Sequence, residues 1–200
     1  MHEALNFKSM ELDLTGISRE TMTAHYKLYQ GYVNKANEIE KKLAELTPDP
    51  KTSNQIFSEW RELKLEHSFA LGGIKNHVNY FSLLGGDGQA PTGSLADQIV
   101  KDFGSVDRLN QELRASAMAA RGWVWLAYDW DNQRLGVFIG DAQNTFPIWN
   151  STMLLALDTY EHAYWLDFQQ DRLAYIEAFF ANLDWSVPMQ LFKMISGESK

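Results

Sequence analysis

Residues 158–164 read Asp158-Thr159-Tyr160-Glu161-His162-Ala163-Tyr164, with an apolar run on either side. The segment sets a carboxylate, Asp158, and an imidazole, His162, four residues apart. On a helix, this spacing places both side chains on one face, where they can bind one metal ion. The segment therefore predicts part of a metal site, and the rest of the chain has to supply two more ligands.

The residue types available restrict what such a site can contain. The chain has no cysteine, which excludes disulfides and thiolate ligands. Imidazole, carboxylate and solvent remain as ligands, and they favour manganese or iron over copper(I) or an iron–sulfur cluster. With 200 residues, 45% of them hydrophobic and 13% aromatic, the chain can form one compact unit or two small, closely packed ones.

The charge of the chain restricts its partners. A net charge of −8 argues against nucleic acid or an anionic membrane as the main partner. An anionic substrate would be repelled by the overall field, so local cations have to reverse the sign near the site, and Lys27 and Arg172 are candidates. Residues 1–7 lack the regions of a signal peptide, and no later stretch is apolar for long enough to span a bilayer. We therefore expect a cytoplasmic protein.

Two long helices are predicted in the first half of the chain. From Ser18, a suitable N-cap, apolar residues recur at helical spacing as far as Leu46, and the helix should end before Pro48. A second helix is predicted from about Ser53 to Leu84. Gly72-Gly73 lowers helix propensity in its middle, so a close contact is expected there. The apolar positions of this helix are Ile56, Trp60, Leu63, Leu71, Ile74, Val78 and Phe81.

A glycine-rich linker at residues 85–93 divides the chain, and it predicts domains at 1–88 and 89–200 with the metal site between them. The elements predicted after it are helices Ser94–Phe103 and Val106–Arg121, strands Trp123–Tyr128 and Leu135–Ile139, a third apolar run Met153–Leu157, and a helix from Tyr164 to Leu183. The fold class is α+β: a long antiparallel helical hairpin, then an α/β domain with a small three-stranded antiparallel sheet.

Three of the five histidines lie on predicted elements that can meet Asp158. His25 is in the first helix, His77 is in the second, and His162 follows the third apolar run. Taken alone, each is more often a core histidine bonded to a backbone carbonyl. Together, three imidazoles and one carboxylate form a ligand set that suits a redox metal.

Several motifs, in order along nearly the whole chain, resemble those of the iron/manganese superoxide dismutases. They are the first-helix block 17–26, Gln30-Gly31-Tyr32-Val33-Asn34, Asn76-His77-Val78-Asn79-Tyr80-Phe81, Gly122-Trp123-Val124-Trp125-Leu126 and the block 158–164, followed by Asp171-Arg172 and Leu183-Asp184-Trp185. One such motif would be a weak signal. Five in sequence are a strong one.

The resemblance implies a metal centre with one manganese or iron ion per subunit. Its ligands would be His25, His77, Asp158 and His162, with solvent as the fifth. The ion would cycle between its +3 and +2 states, converting superoxide to dioxygen and hydrogen peroxide. Tyr32 matches the tyrosine of the family's substrate funnel, where its hydroxyl can join a hydrogen-bond relay.

The resemblance also bears on metal choice. Iron-type members usually carry the glutamine that bonds the solvent ligand four residues before the second histidine, where this chain has Gly73. Manganese-type members carry it in the sheet domain, and Gln143 occupies about that place. Manganese is therefore favoured, and an iron or cambialistic protein stays open.

Further positions match residues around the family's metal and subunit interface. Glu161 matches the glutamate that reaches across a two-fold axis to the ligand histidine of the partner, which implies a homodimer and leaves a tetramer open. The remaining matches are Trp125, Tyr160 in place of the usual tryptophan, Tyr164, and Arg172, which here precedes Leu173 instead of proline.

The first helix departs from the family pattern. Where the family has H-x-G-K-H-H-x-x-Y, one residue is missing between His25 and Tyr32, and Leu28 replaces the funnel histidine. A single deletion rotates the following helix by about 100°, so we expect the helix to relax locally or Tyr32 to point elsewhere. Leu28 also cannot form the hydrogen bond that the histidine makes to the other subunit's tyrosine, here Tyr164.

Three functions remain open from the sequence. The first is a manganese or iron superoxide dismutase. The second is a protein that keeps the fold and the metal without significant turnover and serves a binding or structural role. The third is an oxygen-activating non-heme iron enzyme, although such sites leave more coordination positions open than three histidines and one aspartate allow.

Overall fold

The structure is a computed structural model that describes residues 1–145 and 148–197. Its first long element is helix α1, Arg19–Glu45. Ser18 caps it by accepting a hydrogen bond from the backbone N–H of Thr21. The buried face follows helical spacing through Tyr29 and Val33 and packs against the second helix. The prediction for this helix is confirmed.

Helix α2, Glu59–Ser82, begins six residues later than expected. Asn54 accepts hydrogen bonds from the N–H groups of Ile56 and Phe57 and turns the chain, and Ser58 then caps the helix. Ile56 is 85% exposed. Its assignment to the apolar face of the helix was wrong, because turn hydrogen bonds from Asn54 outweigh the apolar character of the segment.

The second half of the chain holds a sheet and the shorter helices. Its elements are α3 Gly93–Phe103, α4 Val106–Ala119, β1 Trp123–Asp129, β2 Arg134–Gly140, β3 Ser151–Asp158, α5 Trp165–Phe168, α6 Arg172–Ala181 and α7 Ser186–Ser196. The strands are antiparallel in the order β2-β1-β3. In this register Trp123 lies opposite Asp158, so the sheet places the last residue of β3 beside the first residue of β1.

The helix predicted from Tyr164 to Leu183 is wrong as a single element. Instead, a 3-10 turn at Glu161–Ala163, α5 and α6 follow one another. Gln169 adopts a positive φ of 49°, and the carboxylate of Asp171 caps α6 by accepting from the N–H of Ala174. These two features interrupt the helix. Helix α4 also ends at Ala119 instead of Arg121, and α7 was not anticipated.

The linker is tied to the end of α6. The N–H groups of Gly85 and Gly86 both donate to the carbonyl of Asn182, each at 2.9 Å. Leu84 and Leu183 form an isolated bridge. The helical hairpin is therefore bonded through its backbone to the second half of the chain. Within the described ranges, none of the helices has both the length and the apolar character needed to cross a bilayer.

The glycine pair in α2 lies at a close contact, as expected. A Cβ atom on Gly72 would lie 2.0 Å from the carbonyl oxygen of Gln143, and one on Gly73 would lie 2.6 Å from the ring of Tyr32. Only hydrogen at these positions lets the loop around Gln143 and the ring of Tyr32 approach the helix backbone.

Gly72→Ala should lower the free energy of unfolding by about 1–3 kcal/mol, because the new methyl group collides with the backbone of Gln143. Gly31→Ala on α1 is the matched control. It has open space around its Cβ position, so the gain in helix propensity should leave stability unchanged or raise it by up to about 1 kcal/mol. Denaturant unfolding of both variants measures the difference. Equal stability of the two variants would contradict the contact.

Candidate metal centre

Four side chains from four segments meet between the hairpin and the sheet. They are His25 on α1, His77 on α2, Asp158 at the end of β3 and His162 in the 3-10 turn. One ligand atom from each lies within 4.8 Å of all the others. Oδ2 of Asp158 is 3.1 Å from Nε2 of His25, 3.0 Å from Nε2 of His162 and 3.6 Å from Nε2 of His77. The structure thus brings together all four candidate ligands.

The spacing of Asp158 and His162 suggested that both lie on one helix, but they do not. Asp158 ends a strand, and Thr159 continues from it with its N–H and its hydroxyl both donating to the carbonyl of Gly122. The second carboxylate oxygen of Asp158 accepts from the N–H of Tyr160. These hydrogen bonds turn the chain within four residues, so that His162 comes back over Asp158.

Burial and charge control the protonation of the cluster. Burial alone would raise the pKa of Asp158, but the charge of His162 and hydrogen bonds from His162 and His25 lower it below its ordinary value. Burial lowers the pKa of His25, and burial with the nearby charge of His25 lowers that of His77 to about 3. Burial would also lower the pKa of His162, but the charge of Asp158 and its hydrogen bond raise it. The cluster thus has one ionised carboxylate beside two neutral imidazoles, and a metal ion would displace the proton from His162 when it binds.

The hydrogen bonds of His77 leave a lone pair directed into the cluster. Its Nδ1 lies 2.6 Å from the carbonyl oxygen of Gly73 and donates to it. Nε2 is buried and has no hydrogen-bond partner among the described residues. A cation would satisfy this lone pair, and three imidazoles with one carboxylate suit manganese or iron. The residues present therefore fit the implied ion.

Tyr32 also faces the cluster, despite the missing residue. Helix α1 is regular from Arg19 to Glu45, and the ring of Tyr32 lies 5.3 Å from that of His77. Seven residues at 3.6 per turn fall about 20° short of two full turns, so His25 and Tyr32 share one face of an undistorted helix. The missing residue leads us to expect a local relaxation of the helix or a displaced Tyr32, and neither is seen here.

Gln143 lies in the loop after β2 and is 1% exposed. Its Oε1 accepts from the indole N–H of Trp123 at 3.0 Å, and its backbone carbonyl accepts from Nδ2 of Asn76 at 3.3 Å. Burial first, then the charge of Asp158, raises the pKa of Tyr32 to about 12, while a hydrogen bond from Gln143 opposes the shift. Gln143 therefore lies beside Tyr32 at the cluster.

Two contacts of the centre were not anticipated from the amino-acid sequence. Trp123 packs edge-on against His77 at 5.2 Å between ring centroids, whereas Trp125, the predicted neighbour, donates to Oδ1 of Asn76. The hydroxyl of Tyr175 donates to the backbone carbonyl of Asp158 at 2.7 Å. The alternation in β1 could have indicated Trp123, but α6 carries no local signal for Tyr175.

His162 lies on the solvent side of the cluster, and its side chain is 27% exposed. Tyr160 stacks on its ring at 5.2 Å. Arg172 donates to the hydroxyl of Tyr164 and to a backbone carbonyl. A cavity of about 360 Å³ lies here, lined by Arg121, Thr159, Tyr160, Glu161, His162 and Arg172. Of the two expected cations, Arg172 is thus at the site, whereas Lys27 is exposed on α1.

His77→Ala should reduce bound manganese or iron by about tenfold or more, because the ion loses an imidazole ligand. Glu66→Ala is the control, since Glu66 is exposed on the same helix outside the cluster. Metal analysis after dialysis gives the occupancy, and circular dichroism checks that the helices remain. Full occupancy in His77→Ala would contradict the ligand assignment.

Comparison with known proteins identifies the family. The alpha-hairpin domain of iron/manganese superoxide dismutases matches residues 3–85, and the C-terminal domain of the same family matches residues 91–190. An iron superoxide dismutase of Aquifex pyrophilus is 42% identical over 185 residues, which cover 90% of this chain and 86% of the relative. A manganese superoxide dismutase of Halobacterium salinarum is 34% identical over 178 residues, covering 88% and 87%. With two family models that follow one another along nearly its whole length, the chain belongs to the iron/manganese superoxide dismutase family.

Proposed function

We propose that the chain is a superoxide dismutase that converts two superoxide ions and two protons into dioxygen and hydrogen peroxide. The observation that carries this proposal is the buried cluster of His25, His77, Asp158 and His162, whose ligand atoms lie within 4.8 Å of one another. These residues would hold one manganese or iron ion per subunit. The bound ion supplies the alternating one-electron oxidation and reduction of superoxide.

The surrounding residues orient the ligands and manage protons. The carbonyl of Gly73 fixes the tautomer of His77, and the hydroxyl of Tyr175 holds the backbone of Asp158 in place. With its pKa raised to about 12, Tyr32 keeps its proton on Oη at neutral pH and can donate a hydrogen bond there. Trp123 excludes water from one side of the cluster and orients the Gln143 amide.

Manganese is the metal that we propose, with iron or both as the alternatives. The support is the position of Gln143 beside Tyr32 together with Gly73 below the Tyr32 ring. A glutamine at position 73 would begin with a Cβ atom 2.6 Å from that ring, so the two side chains could not both keep their places. The similar proteins include both iron and manganese enzymes.

We further propose a homodimer in which Glu161 of each subunit reaches His162 of its partner, with a tetramer as the alternative. Glu161 is exposed beside the partly exposed His162. Trp165, Leu166 and Leu173 add exposed apolar surface in neighbouring segments, and such patches are typical of interfaces. The proposed domains are 1–88 and 89–200, in keeping with the family matches at 3–85 and 91–190. The cytoplasmic location stays a prediction.

The decisive experiment is the dismutation rate of the protein reconstituted separately with manganese and with iron, with bound metal quantified in the same samples. Fast turnover with manganese supports the proposal and the role of Gln143. Stoichiometric metal without turnover would favour the alternative, a metal-binding protein with a binding or structural role. The comparisons give that alternative no support.

Gln143→Ala should retain the metal and lower turnover by about 10- to 100-fold, since the variant loses the amide that contacts Tyr32 and Trp123. Gln55→Ala, at an exposed position beyond α1, is the matched control and should keep the parent rate. Pulse radiolysis measures both rates. An unchanged rate in Gln143→Ala with full metal occupancy would remove Gln143 from the mechanism.

Glu161→Ala should raise the dimer dissociation constant by about tenfold or more, because the partly exposed imidazole of the partner loses a charged hydrogen-bond acceptor. Glu66→Ala, which removes an exposed glutamate from α2, should leave association unchanged. Sedimentation equilibrium compares the two variants. Identical dissociation constants would show that Glu161 is not at the subunit interface.

A further inference from the structure

The two histidines outside the metal centre converge on one carboxylate. Nε2 of His2 lies 2.8 Å from Oε1 of Glu40, and Nε2 of His67 lies 3.1 Å from the same oxygen. The three residues come from the segment before the first helix, from α1 and from α2. All five histidines of the chain therefore lie in one of two groups, and each group contains a carboxylate.

The position of His2 is fixed by its backbone. Its N–H donates to Oδ1 of Asn37 at 2.7 Å, and its carbonyl accepts from Nδ2 of the same residue at 2.9 Å. Further along, the N–H of Leu5 donates to the hydroxyl of Tyr29, and the carbonyl of Leu5 accepts from the hydroxyl of Tyr26. We call residues 2–7 the N-terminal strap. Its hydrogen bonds to α1 hold the His2 imidazole over Glu40.

We propose that His2, Glu40 and His67 form a second metal site, which takes a zinc-like divalent cation. Two imidazoles and one glutamate, with a solvent molecule in the fourth position, are a ligand set of mononuclear zinc sites. The cation would replace the two hydrogen bonds on Oε1 and bind the N-terminal strap to both helices of the hairpin. The site is distinct from the centre at Asp158 and shares no residue with it.

The spacing of the three side chains resembles that at Asp158 in its nitrogen–oxygen distances but is looser between the two imidazoles. The nitrogen–oxygen distances of 2.8 and 3.1 Å match the 3.0 and 3.1 Å between Asp158 and two of its histidines. Among the described residues, only the Asp158 cluster has all its ligand atoms within 4.8 Å of one another, so the second group is looser and the cation has to draw the two rings together. The side chains are 23–37% exposed, which gives the rings room to move and the cation a path of entry.

The charge of the group also suits a cation. Hydrogen bonds from His2 and then His67 lower the pKa of Glu40, so its carboxylate is ionised at neutral pH.

The effect of a bound cation would extend from the N-terminal strap into the core. Phe7 of the strap lies 5.2 Å from Phe81, which in turn lies 5.0 Å from His25. A cation on the strap would therefore hold the aromatic wall behind the first metal centre.

The test is a zinc titration of the purified protein already loaded with manganese or iron, and isothermal titration calorimetry measures the binding. We expect one further equivalent of zinc per chain while manganese or iron content stays constant. His67→Ala and Glu40→Gln should each weaken that binding by about tenfold or more. Glu38→Gln is the matched control. Its carboxylate lies on the same helix but pairs with Lys35 and Lys42, so zinc binding should persist.

His2→Ala provides an independent variant, because a change in the strap leaves the packing of the two helices intact. Loss of zinc binding in His2→Ala and Glu40→Gln, with parent stability, supports the site. Absence of a further equivalent, or equal binding in Glu40→Gln and the parent, would overturn it. The titration reads bound zinc and not superoxide, so its outcome is separate from that of the dismutation assay.

Discussion

The packing of the two halves of this molecule depends on one constraint, which is that the buried, ionised carboxylate of Asp158 must be compensated. A fully buried carboxylate is unfavourable unless positive charge or hydrogen-bond donors surround it. Here Nε2 of His25 and Nε2 of His162 lie 3.1 and 3.0 Å from one oxygen, and the N–H of Tyr160 donates to the other. The helical hairpin and the sheet each supply part of this shell, so the two halves of the chain have to pack together for the charge to be compensated.

The glycine pair in α2 connects this centre to the loop after β2. Gly72 accommodates the backbone of Gln143, Gly73 accommodates the ring of Tyr32, and the carbonyl of Gly73 orients His77. One turn of helix therefore positions three groups around the candidate metal site. The lower helix propensity of two glycines, about 1 kcal/mol each, is offset by the close packing that they permit.

The regularity of α1 explains how His25 and Tyr32 reach one site although the chain has one residue fewer between them than the family pattern. A spacing of seven residues places His25 and Tyr32 on the same face of an ordinary helix, and the ring of Tyr32 reaches His77. The same helix presents Asn37 and Glu40 to the N-terminal strap. Helix α1 thus contributes to both histidine groups, with His25 near its N-terminal end and Glu40 near its C-terminal end.

The helical hairpin, the three antiparallel strands and the candidate ligands His25, His77, Asp158 and His162 could all be predicted from the amino-acid sequence. Those features depend on local periodicity, on turn residues and on motifs in fixed order. Four features could not be predicted in this way. They are the turn that brings His162 to Asp158, the break between α5 and α6, the contacts of Trp123 and Tyr175, and the hydrogen bonds of His2 and His67 to Glu40. Each of these is a hydrogen bond or contact between segments that local sequence cannot pair, because only packing determines which distant groups become neighbours.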